Sequence, residues 1–227
     1  MRLERRIKRQ IVAVATLGTV LAMILMSGRS FAGQETTPTD SVKSTITDLV
    51  RVLVNQDMNH PGRSADRLNE IERALRSHVS FDEMARRSLG HPWRELSDIE
   101  QQVFANLFIQ SLSRSVAGWR FEDPIYGRLG DPSSQLVTYL SERSEGRFSE
   151  VATRIRGMKV DTQLDFRLVN QSGDWRIYDV VADYVSVSDN YRSQFANILR
   201  MFSFDELSTT IKKTPLLQLL ERTLSRR

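Results

Sequence analysis

The 227-residue chain contains no cysteine. That excludes disulfides, a thiol nucleophile, a thiolate metal site and a lipidated N-terminal cysteine, and it leaves the fold to be held by its core alone. Histidine is nearly as scarce, with His60, His78 and His91 as its three occurrences. His60 and His91 each precede a proline in expected loops, His78 lies near an expected helix end, and none sits in a spacing that marks a metal site. Serine nucleophile elbows, Walker loops and dinucleotide glycine fingerprints are also missing. No catalytic residue, metal or cofactor is therefore expected. Asp and Glu remain as general-base candidates, but their spacing singles none out.

Charge of one sign is missing too, once the start of the chain is set aside. Arg2, Arg5, Arg6, Lys8 and Arg9 precede a run from Ile11 to Met26 that is apolar apart from Thr16, Gly18 and Thr19, and Ser30-Phe31-Ala32 follows. This is the pattern of a secretory signal cut before Gly33, which directs the protein to the periplasm; a retained membrane anchor is the alternative. Residues 1–32 hold six of the 32 Lys and Arg and one of the 28 Asp and Glu, which leaves 26 against 27. The basic character thus belongs largely to the leader, and no nucleic-acid partner is expected. The organisation expected is a signal peptide over 1–32, a linker over 33–39, one domain over 40–220 and a short tail over 221–227.

Helical periodicity comes first. A helix capped by Asp40 or Ser41 carries Val42, Ile46, Leu49, Val50, Leu53 and Val54 on one stripe and is stopped by Asn59-His60-Pro61-Gly62. A second spans Ser64 to Arg76 with Leu68, Ile71 and Leu75 inward. Ser80 with Glu83 reads as a capping box for a short helix ended by Gly90, and Ser97 with Glu100 as a second box opening a long helix. That helix carries Val103, Phe104, Leu107, Phe108, Leu112, Val116 and Trp119. Phe121 to Ser134, with two prolines and two glycines, reads as a loop.

The period then changes to two. Leu136–Leu140, Phe148–Arg156, Val160–Val169 and Trp175–Val187 are the expected strands. In the third, Val160, Thr162, Leu164, Phe166 and Leu168 face one way and Asp161, Gln163, Asp165 and Arg167 the other, so one face is wet and the sheet antiparallel. Helices from Asp189 to Met201, opened by Ser188 or Asp189, and from Leu207 to Lys213, capped by Ser203 to Glu206, lead to a Leu-rich tail. The order helices, strands, helices gives an α+β fold: a curved, mainly antiparallel sheet of four to five strands wrapped by N- and C-terminal helices.

The stretch Trp175-Arg176-Ile177-Tyr178-Asp179-Val180, followed by Ser186-Val187-Ser188-Asp189-Asn190-Tyr191-Arg192-Ser193-Gln194-Phe195, resembles the signature of the MlaC-type toluene-tolerance family. Phe81, Leu89, Gly90, Trp93, Phe104 and Phe108 also match that family's pattern. The chain departs from it at Leu112 and Trp119, where the family usually carries tyrosines, at Tyr184, where glycine is usual, and at Ser188, usually apolar. A tyrosine in place of that glycine is expected to fill space or narrow the backbone approach.

The resemblance implies a periplasmic carrier of phospholipid that catalyses no bond change. It implies as partners an outer-membrane lipoprotein complex and an inner-membrane ABC transporter complex with its lipid-binding subunit. The acyl chains would lie in an apolar cavity lined by Phe104, Phe108, Leu112, Val151, Ile155, Leu164, Phe166, Leu168, Trp175, Tyr191, Phe195 and Leu199. Each of these residues can equally be plain core. Arg192 reads either as a structural partner of Asp179 or Asp183, with the Tyr191 hydroxyl bonded in the core, or as a group at the cavity mouth that meets a phosphate. A hopanoid or other polycyclic lipid, an enzyme with a carboxylate inside the cavity, and a solid adaptor are the rival readings.

Overall fold

The computed structural model describes residues 36–118, 136–156 and 161–213. The expected leader, the loop from Phe121 to Ser134, Trp119, Val160 and the Leu-rich tail lie outside them. Within them six α-helices and one five-stranded antiparallel sheet make the expected α+β fold.

Helix α1, Pro38–Leu53, starts two residues before Asp40 because Thr37 caps it: its hydroxyl accepts from the Asp40 amide at 3.1 Å, and Pro38 takes the first helical position, where no N–H is needed. It also stops at Leu53, short of the expected Pro61, and two 3₁₀ turns, Asp57–Asn59 and Pro61–Arg63, bridge to α2, Ser64–His78. On α2, Ile71 and Leu75 face inward as expected, but Arg67 is the third sealed position, 3 % exposed, and Leu68 is only half-buried. The Arg67 guanidinium donates to the carbonyls of Leu53 at 3.3 Å and Ala117 at 3.2 Å. It thereby ties together the C-terminal ends of α1 and of the later helix that closes at Ala117, where carbonyls lack helical partners.

Helix α3, Phe81–Leu89, lacks the expected capping box. The Ser80 hydroxyl instead accepts from Gln171 at 2.9 Å, and Glu83 turns to Arg86 at 2.6 Å and Arg87 at 2.8 Å. Gly90 does end the helix, at φ +74°, and a Cβ there would stand 3.0 Å from the Arg192 side chain. Helix α4, Asp98–Ala117, opens with the Ser97–Glu100 box as expected.

The sheet runs β1 (Val137–Glu145), β2 (Phe148–Ile155), β3 (Thr162–Gln171), β4 (Asp174–Ala182) and β5 (Val185–Ser186), each paired antiparallel with the next. Register places Tyr139, Thr153, Leu164 and Ala182 in one row and Val151, Phe166 and Val180 in the next row of the same face. The opposite face carries Glu150, Arg167 and Asp179, but it is not simply wet. Tyr178 and Val181 are buried, and the Arg87 guanidinium lies 4.1 Å from the Tyr178 ring centre and 5.5 Å from that of Phe148. Register shifts after Tyr139 and after Arg167 mark bulges, which bend strands.

The expected single strand Trp175–Val187 is two strands. Asp183 and Tyr184 both adopt positive φ, 44° and 70°, and fold the chain back so that Ala182 pairs with Val185. This is the two-residue hairpin whose handedness suits the strand twist and for which glycine is the easiest second residue. The Tyr184 ring fills no space: it is 84 % exposed. Helices α5, Val187–Leu199, and α6, Phe204–Lys213, close the described chain. α5 is capped by Ser186, not by Ser188 or Asp189, and the Ser203–Glu206 cap of α6 forms as expected.

Tyr184→Gly should therefore stabilise the protein. Relief of the left-handed strain exceeds the added entropy of the unfolded chain, so urea unfolding should show a gain of about 0.5–1 kcal/mol.

Candidate functional site

The signature stretch is organised by one carboxylate. Asp179, 2 % exposed, accepts from Arg167 at 3.2 Å, from the Ser186 hydroxyl at 2.6 Å, from the Ser188 amide at 2.9 Å and from the Val180 amide at 3.0 Å. β3, β4 and the first turn of α5 thus meet on two oxygen atoms. A buried carboxylate is tolerable only when bonded in this way. The small, polar Ser188, where the family's residue is usually apolar, brings its amide to Asp179 and its hydroxyl toward the Tyr178 carbonyl at 3.4 Å. Arg192 forms an ion pair, but with Asp189 at 2.7 Å rather than with Asp179 or Asp183, because its stem runs across Gly90 and its end stays half exposed. The partner of Asp179 is Arg167, which also reaches Glu150 at 3.0 Å.

From that anchor α5 directs Tyr191 and Phe195 into an aromatic cluster with α4. The Tyr191 ring stacks on Phe195, with centroids 5.8 Å apart, and meets Phe108 edge-on at 5.4 Å. Phe104 joins Phe108, Phe195, Trp93 and Phe204 at 5.8–6.2 Å. Of the twelve residues expected to line a cavity, eleven belong to one apolar cluster and Ile155 does not. Phe104, Phe108, Val151, Leu168, Tyr191 and Phe195 are sealed, and Phe166 nearly so. Leu112, Leu164, Trp175 and Leu199 are half-buried against them. The Tyr191 hydroxyl, bonded in the core on one of the two readings, has no hydrogen-bond partner among the described residues. Its phenol is held far above its usual pKa by burial.

Half-buried apolar residues form the partly exposed margin of this core. Ile46, Leu49 and Val52 of α1, Leu112 of α4, Tyr139 of β1, Leu164 of β3 and Val180 of β4 all pack on the cluster with part of each side chain left exposed. α1 lies against β1, β2 and β4. Burial raises the Tyr139 pKa, and the Lys43 ammonium sits 5.5 Å from its ring centre. Thr153, sealed in the middle of the same sheet row, donates its hydroxyl to the Leu164 carbonyl, so the row presents no free polar group there. Sequence reasoning missed the α1 residues and Tyr139, treating the first as an ordinary stripe; their amphipathic spacing was visible, their partial exposure was not. It also missed Phe204, whose spacing to Leu207 and Ile211 was the available signal.

Three pockets bounded by described residues lie elsewhere. One of about 420 Å³ lies between α5 and α6, against Ile198, Phe202, Asp205, Glu206, Thr209 and Thr210. A polar one of about 240 Å³ includes Arg76, Ser80, Gln102, Asn106, Gln171 and Arg176, and a third of about 230 Å³ includes His60, Arg67 and Arg114. None is lined by a residue from the expected set. Among the described residues no group of three His, Asp or Glu could hold a metal ion.

Residues 43–213 match the family described as MlaC protein. The chain belongs to the MlaC family. The match takes in most of α1, all of the five later helices and all five strands, including the Asp179 anchor. Among solved structures, the fold is similar to one described as the phospholipid-binding protein from Ralstonia solanacearum in complex with a phospholipid. That likeness has a TM-score of 0.59 and 19 % identity, and covers 79 % of this chain and 97 % of that one. At that identity it establishes a shared fold. No curated protein matches.

Asp179→Ala would leave Arg167 with Glu150 alone and take the acceptor from two donors at the start of α5 within this MlaC-family fold. Urea unfolding should register a loss of about 1–3 kcal/mol. Asp179→Asn, which keeps acceptors but not the charge, should lose less.

Proposed function

We propose that this protein is a carrier that takes phospholipid acyl chains against the half-buried apolar wall formed by α1, the inner sheet face and α4. It would carry them through the periplasm between an outer-membrane lipoprotein complex and an inner-membrane ABC transporter complex. The observation that carries the reading is that wall: Ile46, Leu49, Leu112, Tyr139, Leu164 and Val180 pack on the core with part of each side chain left exposed. Hydrocarbon laid against such residues would complete their cover. Membership of the MlaC family and a structural relative described as holding a phospholipid support a lipid as the occupant, and the signal-like leader supports the compartment.

The energetics favour chains over headgroup as the gripped part. Shielding hydrocarbon is worth about 0.8 kcal/mol per methylene, so a two-chain lipid needs roughly 20 kcal/mol of shielding to cross water, which apolar contact supplies and a few surface charges do not. The reading is of binding rather than catalysis. The buried carboxylates Glu83 and Asp179 are each engaged by arginine, and Asp179 points away from the sheet face that bears Leu164 and Phe166.

Native mass spectrometry and lipid extraction of protein purified from its host should reveal bound phospholipid. A polycyclic lipid in its place would assign the protein to hopanoid traffic, and absence of any lipid would overturn the carrier reading. Leu164→Glu, with its fold checked by circular dichroism, should lose the bound lipid. A folded variant with a full load would show that the wall is placed wrongly.

A further inference from the structure

The buried hydroxyl of Tyr191 points to the chemical group that the carrier recognises, an inference that rests on the lipid-carrier reading and deepens it. Among the described residues, five buried side-chain atoms lack a hydrogen-bond partner: the hydroxyls of Ser88, Ser113, Ser208 and Tyr191, and Oδ1 of Asp165. The serines sit inside helices, where a turn about one bond lets a hydroxyl donate to the carbonyl one turn back. Asp165 keeps a bond through its other oxygen, which accepts from Gln163 at 2.9 Å. Tyr191 has neither recourse, since its phenol stands off its own helix in an apolar, aromatic setting.

The ligand-free core has no use for that oxygen. A phenylalanine would stack on Phe195 and meet the Phe108 edge equally well, without leaving a donor stranded. Burial keeps the phenol neutral, so it can only be a donor seeking an acceptor, or an acceptor seeking a donor.

We propose that Tyr191 donates its hydroxyl proton to an acyl ester carbonyl of the bound lipid and so sets how deep the chains sit. The ester carbonyl is the uncharged acceptor at the point where chain meets headgroup. A phosphate is a poor fit, because an anion here would require a cation beside it. The adjacent Arg192 is half exposed, bonded to Asp189 and drawn across Gly90. Access lies along the same helices. One turn beyond Phe108 is Leu112 and one turn beyond Phe195 is Leu199, both half-buried members of the same cluster. The lipid reaches the phenol by parting these contacts.

The test compares binding of dipalmitoyl phosphatidylethanolamine with that of its dihexadecyl ether analogue, which keeps chain length and headgroup but has no ester carbonyl. Competition binding and native mass spectrometry would be run on the wild type and on Tyr191→Phe. The wild type should prefer the ester lipid by about five- to tenfold, the worth of one buried hydrogen bond. Tyr191→Phe should bind the ester lipid weaker by that factor, lose the preference, and melt no lower than the wild type when lipid-free. Equal binding of the two lipids by the wild type, or a preference that survives in Tyr191→Phe, would overturn the assignment. Should Tyr191→Phe fail to fold, the wild-type comparison decides alone. Binding of neither lipid by the wild type would overturn the carrier reading itself, whereas equal binding of both removes only the role of Tyr191.

Discussion

Asp179 is the point on which the two halves of the molecule depend. A carboxylate this deeply buried must be bonded on every side, and its partners come from β3, the β4–β5 hairpin and the first turn of α5. Satisfying it therefore fixes where α5 starts and in which direction it leaves the sheet. The bulge that follows Arg167 in the β3–β4 register lies beside it and leaves Tyr178 as the extra residue next to Asp179. Ser186, which donates to Asp179 while accepting from the Asp189 amide, serves as strand residue, ligand to the anchor and helix cap at once. The positions of Tyr191 and Phe195, and through them the closure of the aromatic cluster on α4, follow from this geometry.

Features that depend on neighbours along the chain were legible in the sequence. The Ser97–Glu100 box, the Gly90 stop, the change from helical to alternating periodicity, and the order of elements all hold. Features set by distant partners were not. Ser80 with Glu83 has the capping spacing, yet Ser80 is taken by Gln171, 91 residues away, and Glu83 by two arginines on its own helix. Arg67 looks like a surface residue until the ends of α1 and α4 are brought to it. The β4–β5 hairpin was hidden because its turn carries tyrosine where glycine would have announced a positive φ.

The apolar interior shows the limit more sharply. Periodicity selects residues that avoid water, and a packed core and a ligand wall make the same demand. Six of the twelve residues expected to line the cavity are wholly sealed, while the partly exposed margin of the cluster is shared by α1, α4, α5, α6, β1, β3 and β4. What separates the two classes is incomplete cover, a property of how elements are placed. α1 is the clearest case: Val42 and Leu53 on its stripe are buried, and Ile46 and Leu49 between them are not fully covered.

The distribution of charge completes the physical picture. Arg167 serves Glu150 and Asp179, Arg87 lies over Tyr178 and Phe148 and bonds Glu83, and Arg192 is held by Asp189. These arginines are thus committed to the scaffold, and at the margin of the apolar cluster the Lys43 ammonium lies 5.5 Å from the Tyr139 ring centre. A surface built so offers contact to hydrocarbon more than to charge. For a carrier that must both load and release, this division is favourable. Apolar contact can be lost gradually as a chain slides out, each methylene giving up only about 0.8 kcal/mol, whereas a desolvated ion pair would have to break in one costly step.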